Sequence, residues 1–156
     1  MKIKLIWVGK PDGDMFDEAI KSYTKKIVSY FPYEIVAIPY LKNAKNMSEE
    51  EQKKREGEAI LKKIEKDELV ILLDERGKEY TSVQFANFVQ QCANSGRKVL
   101  TFVIGGAYGF SNDVYARQNS QIALSKFTFP HIMVRLIFAE QLYRVCTILN
   151  NEPYHH

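Results

Sequence analysis

Cysteine is scarce: the 156 residues hold two, Cys92 and Cys146, far apart and each inside an apolar stretch. The paired spacing of a zinc site or of a dithiol redox motif is missing, so buried free thiols and no bound metal are expected. No run is apolar enough to cross a bilayer. The opening Met1-Lys2-Ile3-Lys4-Leu5-Ile6 carries charge within its apolar run and has no small-residue cleavage site, as suits a first strand rather than a signal peptide. Low-complexity tracts, internal repeats and linker-like stretches are also missing. An excess of one charge is missing too: 22 Lys and Arg against 19 Asp and Glu leave +3, a field too weak to identify a polyanionic partner by itself. These absences predict one globular unit spanning 1–156, in the cytoplasm and with no membrane partner.

What is present is an alternation of strand and helix signals. Lys2 to Val8 reads as a strand closed by a turn at Gly9-Lys10-Pro11-Asp12-Gly13. Phe16, Ile20, Tyr23 and Ile27 recur at helical spacing, with Asp14 placed as a cap and Pro32 as a stop. Tyr33 to Tyr40 predicts a second strand, and the charged run Ser48 to Glu65 a surface helix touching the core through Ala59, Ile60 and Ile64. Glu68 to Asp74 is a short continuous apolar run, as in a strand covered on both faces, with a turn expected at Gly77. Thr81 or Ser82 caps a helix bearing Phe85, Phe88, Val89 and Cys92 that Gly96 ends. Lys98 to Ile104 is the next buried strand. A short helix near Asn112 to Arg117, a brief strand from Gln121 to Ser125 and a long helix from His131 to Asn150 complete the chain. The order predicts an α/β fold with a largely parallel sheet and helices on both faces.

The last helix is apolar nearly all round: Ile132, Met133, Val134, Leu136, Ile137, Phe138, Leu142, Val145, Ile148 and Leu149 cover most of its circumference. One core cannot use every side, so a second copy of the chain is expected against it. Charge is also uneven. From Lys42 to Glu68 basic and acidic residues balance, whereas from Arg117 onward four Arg and Lys face only Glu140 and Glu152, and all three histidines fall there. An anionic substrate is expected in that part.

Four segments could carry chemistry. Val103-Ile104-Gly105-Gly106-Ala107-Tyr108-Gly109-Phe110 runs from a strand into a glycine turn, which suits either close backbone approach to a ligand or a plain tight connection. It has neither the G-x-G-x-x-G spacing nor the Lys-Ser/Thr ending of a P-loop. Ala123 to His131 is a strand-to-helix loop whose Ser125, Lys126 and Thr128 could bond a polar ligand. His131 and Arg135, one turn apart, could grip a phosphate. Glu140 and Arg144 form an ordinary within-helix pair unless something joins them. The tail Pro153-Tyr154-His155-His156 offers an aromatic face and a proton-exchanging ring, or is disordered.

Taken in order, Val8-Gly9-Lys10, Lys54-Arg55-Glu56-Gly57, Leu73-Asp74 with Gly77-Lys78, Phe102 to Gly106 with Gly109, Leu124-Ser125 with Thr128-Phe129-Pro130-His131, Arg135, Glu140-Gln141-Leu142-Tyr143-Arg144 and Pro153-Tyr154-His155 resemble one family over the full length. It is the H-type large-subunit ribosomal RNA methyltransferases, a minimal branch of the SPOUT superfamily. The resemblance implies a deep C-terminal trefoil knot, which periodicity alone never reveals. It implies a homodimer that takes a methyl group from S-adenosylmethionine, with no metal, and places it on N3 of a pseudouridine in 23S rRNA of the assembled ribosome. Carried over by position, Leu73, Gly105, Leu124, Ser125, Lys126, Phe127, Thr128 and Phe129 line the cofactor pocket. The substrate-side residues it implies are Arg135, Tyr143, Arg144 and Tyr154, with His155 taking the N3 proton and His131 and Glu140 in support. Members of the family usually end in Arg or Lys after Tyr-His, so His156 implies a weaker, pH-sensitive last contact. Methylation of a ribose hydroxyl and a non-catalytic RNA-binding module are the rival readings. Binding of S-adenosylmethionine separates the second of these from the first.

Overall fold

The computed structural model describes residues 1–9 and 15–156. Among them five strands form one parallel sheet in the order β2-β1-β4-β3-β5. The strands are β1 (Lys2–Val8), β2 (Tyr33–Ile38), β3 (Leu69–Glu79), β4 (Val99–Ile104) and β5 (Ser120–Ala123). The helices are α1 (Met15–Ile27), α2 (Glu49–Leu61), α3 (Ser82–Asn94), α4 (Asn112–Arg117) and α5 (His131–Leu149), with one 3-10 turn at Ala44–Asn46. The α/β class, the parallel sheet and helices on both faces are as expected.

The two-residue period of a strand divides the side chains between two cores. Ile3, Leu5 and Trp7 of β1, Ile71 and Leu73 of β3, and Leu100, Phe102 and Ile104 of β4 meet α1, α3 and α5 on one face. Ile6, Val8, Val70, Leu72 and Val103 meet α2 and α4 on the other. Covering both faces is why these strands read as continuous apolar runs. Two positions on the second face break the pattern, Lys4 and its β4 partner Thr101. Glu68 joins them: Lys4 Nζ donates to Glu68 Oε1 at 2.5 Å and Thr101 Oγ1 donates to Oε2 at 2.5 Å. Lys4 Nζ also reaches the Lys63 carbonyl at 2.6 Å. The charge in the opening strand is therefore a buried, fully bonded ion pair, the form in which burial of a charge is tolerated.

Capping follows the sequence. Thr81 and Gln84 close a capping box at α3, and Ser48 accepts from the Glu51 amide at α2. Gly96, just past α3, adopts φ 78°. The Asp14 cap and most of the first turn lie outside the described residues. Helix α2 stops at Leu61 rather than Glu65, and β2 and β5 end at Ile38 and Ala123. Beyond Ile60, the core side of α2 is made by Glu56 and Gly57, with Ala59 and Ile64 only partly covered.

The expected turn at Gly77 is not a turn. Strand β3 runs on to Glu79, and Ile122 of β5 is the partner of both Leu73 and Lys78, so residues 74–77 bulge out between two stretches of pairing. A Cβ on Gly77 would lie 2.6 Å from the backbone C and N of Ile122. The glycine permits close approach of two backbones inside a sheet, a use that resembles a turn signal in sequence.

Candidate active site

The bulge of β3 and the C-terminal ends of β4 and β5 lie side by side, and a cleft of about 620 Å³ opens over them. This is where parallel α/β sheets bind ligands, because loops diverge there and leave backbone groups unpaired. The floor holds Leu73, Ile104 and Gly105, and the wall from β5 is the loop toward α5. Of the residues expected around a cofactor, Leu73, Gly105, Leu124, Ser125, Phe127, Thr128 and Phe129 line this one cleft; Lys126 is exposed and is not on its surface. The Ser125 hydroxyl accepts from the Phe127 amide at 3.0 Å and so shapes its own loop.

The glycine turn is braced from behind. Gly109 N donates to the Gly106 carbonyl at 3.1 Å. A Cβ on Gly106 would fall 2.2 Å from Oε2 of Glu56, which comes from α2 and is 4% exposed. Glu56 Oε1 accepts from Gln52 at 3.2 Å, while Oε2 has no hydrogen-bond partner among the described residues. Burial raises the Glu56 pKa, and the Gln52 bond offsets part of that rise.

His131 opens α5 on the cleft wall. Partial desolvation and then the charge of Arg135 lower its pKa, which favours the neutral ring. The expected phosphate-gripping pair with Arg135 does not form. Arg135 is 1% exposed, donates through Nη2 to the Val8 carbonyl at 2.7 Å, and stacks 4.9 Å above the Trp7 ring. It ties α5 to the end of β1 instead, because α5 turns that face into the core.

Glu140, Arg144, Tyr154 and His155 form a second group at the other end of α5. Arg144 donates to Glu140 Oε1 through Nη2 at 2.6 Å and Nε at 3.1 Å, and Tyr154 OH donates to the same oxygen at 3.1 Å. The Arg144 guanidinium lies 4.8 Å over the Tyr154 ring, which meets Tyr143 edge-on at 4.8 Å. Arg144 Nη1 is 3.3 Å from His155 Nδ1. Arginine only donates, so Nδ1 accepts and the ring proton sits on Nε2. Desolvation, then hydrogen bonds with Tyr23 and Glu140, hold the Tyr154 phenol far above its ordinary range. The tail is thus ordered by α5. From His131 to Arg144 the helix rises about 20 Å, so these residues do not reach their own chain's cleft.

The cleft also takes in residues with no role expected from sequence, among them Asp74 and Arg76 from the β3 bulge and Tyr115 from α4. Only Leu73-Asp74, a carboxylate closing an apolar strand, signalled any of them. Among the described residues no group of three or more His, Cys, Asp or Glu is placed to hold a metal ion, and no helix is long and apolar enough to cross a membrane.

A cleft over the loop ends of an open parallel sheet is the place where α/β proteins bind small ligands. The family description "Predicted SPOUT methyltransferase" matches residues 1–155, and the chain belongs to that family. That family implies a knotted fold. Proteins named "Ribosomal RNA large subunit methyltransferase H" are similar to it end to end. The one from Parabacteroides distasonis is 52% identical over 156 residues, covering 100% of this chain and 99% of the relative. Those from Christiangramia forsetii and Flavobacterium psychrophilum are 51% and 53% identical with the same coverage.

Proposed function

We propose that this methyltransferase transfers a methyl group from S-adenosylmethionine to N3 of a pseudouridine in 23S rRNA of the assembled ribosome, in the cytoplasm and as a homodimer, with 1–156 acting as one domain. The observation that carries the reading is the convergence of Leu73, Gly105 and, from the loop before α5, Leu124, Ser125 and 127–129, far apart in sequence, on one cleft of about 620 Å³. That volume fits a nucleoside such as the adenosyl group. When bound, S-adenosylmethionine supplies an electrophilic methyl carried on a sulfonium.

Met133, Ile137, Glu140 and Arg144 recur on one face of α5. Met133 is 37% exposed and Ile137 half-buried. Two such faces paired antiparallel about a two-fold axis would set one chain's Arg144, Tyr154 and His155 beside the other's His131 and cleft. Each reaction site would then need both chains. Arg144 and the Tyr143 and Tyr154 rings hold the target base and its phosphate, and positioning in line with the methyl supplies most of the rate. N3 loses its proton as the N–C bond forms and the S–C bond breaks. His155 takes that proton on Nδ1 once the Arg144 bond is released, with His131, favoured neutral in the cleft, and Glu140 supporting it.

Calorimetry with S-adenosylmethionine, followed by mass spectrometry of 23S rRNA from unmodified ribosomes treated with the protein, tests this. Binding and an N3-methylated pseudouridine are expected; no donor binding, or a methyl on ribose, overturns it. Light scattering that shows a monomer at micromolar concentration removes the two-chain site.

A further inference from the structure

The cleft mouth carries an arginine held in an unusual way. Arg76 lies in the β3 bulge with its side chain 67% exposed, yet one edge of it is pinned. Its amide and Nε donate to Asp74 Oδ1 at 2.9 and 3.2 Å, and Nη2 reaches Asp74 Oδ2 at 3.5 Å. Nη2 also donates to the Tyr115 hydroxyl, which itself donates to Asp74 Oδ2 at 2.5 Å. The guanidinium sits 5.0 Å over the Tyr115 ring. Asp74 is 8% exposed in its side chain. Burial pushes its pKa up, but the bonds from Arg76 and Tyr115 outweigh that and hold it below the ordinary carboxylate range. Asp74 is therefore a poor base for the methylation and a good anchor for the arginine. Nη1, the remaining edge, makes no hydrogen bond among the described residues.

Ordering an exposed arginine this way costs side-chain entropy that a surface ion pair does not return in stability. The rest of the rim suggests why it is ordered. Tyr108, 46% exposed, and Phe127, 79% exposed, line the same cleft, as does Lys53, which is ion-paired to Glu50 at 2.7 Å. Exposed aromatic rings next to a planar, pre-aimed guanidinium match a single strand of RNA, with its stackable bases and phosphates. The methyl donor offers one carboxylate and no second aromatic face.

We propose that Arg76, clamped by Asp74 and Tyr115 at the cleft mouth, binds a backbone phosphate of the RNA strand that enters the cleft. This rests on the RNA-methylating reading above. The test uses the full chain as wild type, Arg76→Ala, Arg76→Lys and Tyr115→Phe. Affinity for unmodified ribosomes is measured by sedimentation over a salt series, and affinity for S-adenosylmethionine by calorimetry. Arg76→Ala is expected to weaken ribosome binding about tenfold and to lower the slope of log affinity against log salt by about one, with donor affinity within about twofold. Arg76→Lys recovers only part of this, since lysine has no fork. Tyr115→Phe, which loosens the clamp but keeps the charge, falls between wild type and Arg76→Ala. Unchanged ribosome affinity and slope in Arg76→Ala overturns the proposal, as does a loss of donor affinity as large as the loss for ribosomes. A wild type that binds no ribosomes sinks the RNA reading and this proposal together; one that binds them while Arg76→Ala matches it sinks this proposal alone.

Discussion

The two ends of α5 are built on different principles. At its N-terminal end the cleft is assembled from loops and turns that leave the sheet, with the glycine turn braced by Glu56 from behind. Toward its C-terminal end the chemistry is all side chain: Arg144 and Tyr154 both bond Glu140, and Arg144 also bonds His155, so Arg144 joins the group. A site assembled from loops of several strands holds its shape when a single side chain at its rim is changed. A side-chain network suits proton movement and charge, and it is vulnerable to single substitutions. The helix keeps the two apart within one chain; the proposed antiparallel dimer would bring them together between chains.

The comparison breaks most sharply at Arg144. Arg144→Ala should lower single-turnover methylation about 100-fold while donor affinity, set at the cleft, stays unchanged. Gly105→Val, which crowds Phe110, should do the reverse and abolish donor binding. Mixing the two inactive variants should restore part of the activity, because a mixed dimer holds one intact cleft and one intact tail on the same reaction site. No restoration after subunit exchange would place both functions within one chain. His155→Ala comes next: its single-turnover rate should fall about 10- to 100-fold throughout the range of about pH 6 to 8. A wild-type rate across that range rules out proton transfer by His155.

Gly77→Ala probes the bulge that shapes the cleft. Its Cβ meets the Ile122 backbone, which cannot rotate away, so a loss of about 3 kcal/mol is expected, or roughly 6 to 12 °C in Tm by thermal denaturation. Glu56→Gln is a smaller effect with a defined sign. The folded pKa of Glu56 is raised, so as pH climbs the unfolded chain gives up its proton first. Stability drains away from the ordinary carboxylate range up to the folded value and does not return above it. The variant lacks that loss. Its Tm should exceed wild type by a few degrees above about pH 5 and match it at low pH; a gap independent of pH would show that Glu56 is ionised in the fold.

The smallest effect lies at the tail's far edge. Tyr30 OH is 2.8 and 2.7 Å from the two Glu152 oxygens, and that bond, ahead of slight burial, pushes the phenol up to about 12. Ultraviolet titration should find it back near about 10 in Glu152→Gln. The same titration in wild type and variant would show that the tail leaves the turn after α1 in solution.

Much of the architecture was legible because its signals are local. Strand and helix periods, the Thr81 cap, Gly96 after α3 and the Pro130 start of α5 all depend on residues within a turn or two of one another. The 103–110 and 123–131 segments stood out for the same reason, as strand ends followed by glycine or proline. Gly77 misled because a glycine required by a turn and one required by a neighbouring backbone look alike in sequence. Arg135 misled because helical spacing says which residues share a face but not which way that face points.

The sequence by itself determined an alternating α/β chain, strands buried on both sides, a final helix too apolar for one core, and the segments able to carry a ligand. Tertiary structure decided which of these meet. Asp74 finds Tyr115, Glu56 finds Gly106, Lys4 finds Glu68 and Arg135 finds Val8, each across dozens of residues. Such pairings depend on strand order and helix rotation, which packing of the whole chain selects and no local period encodes.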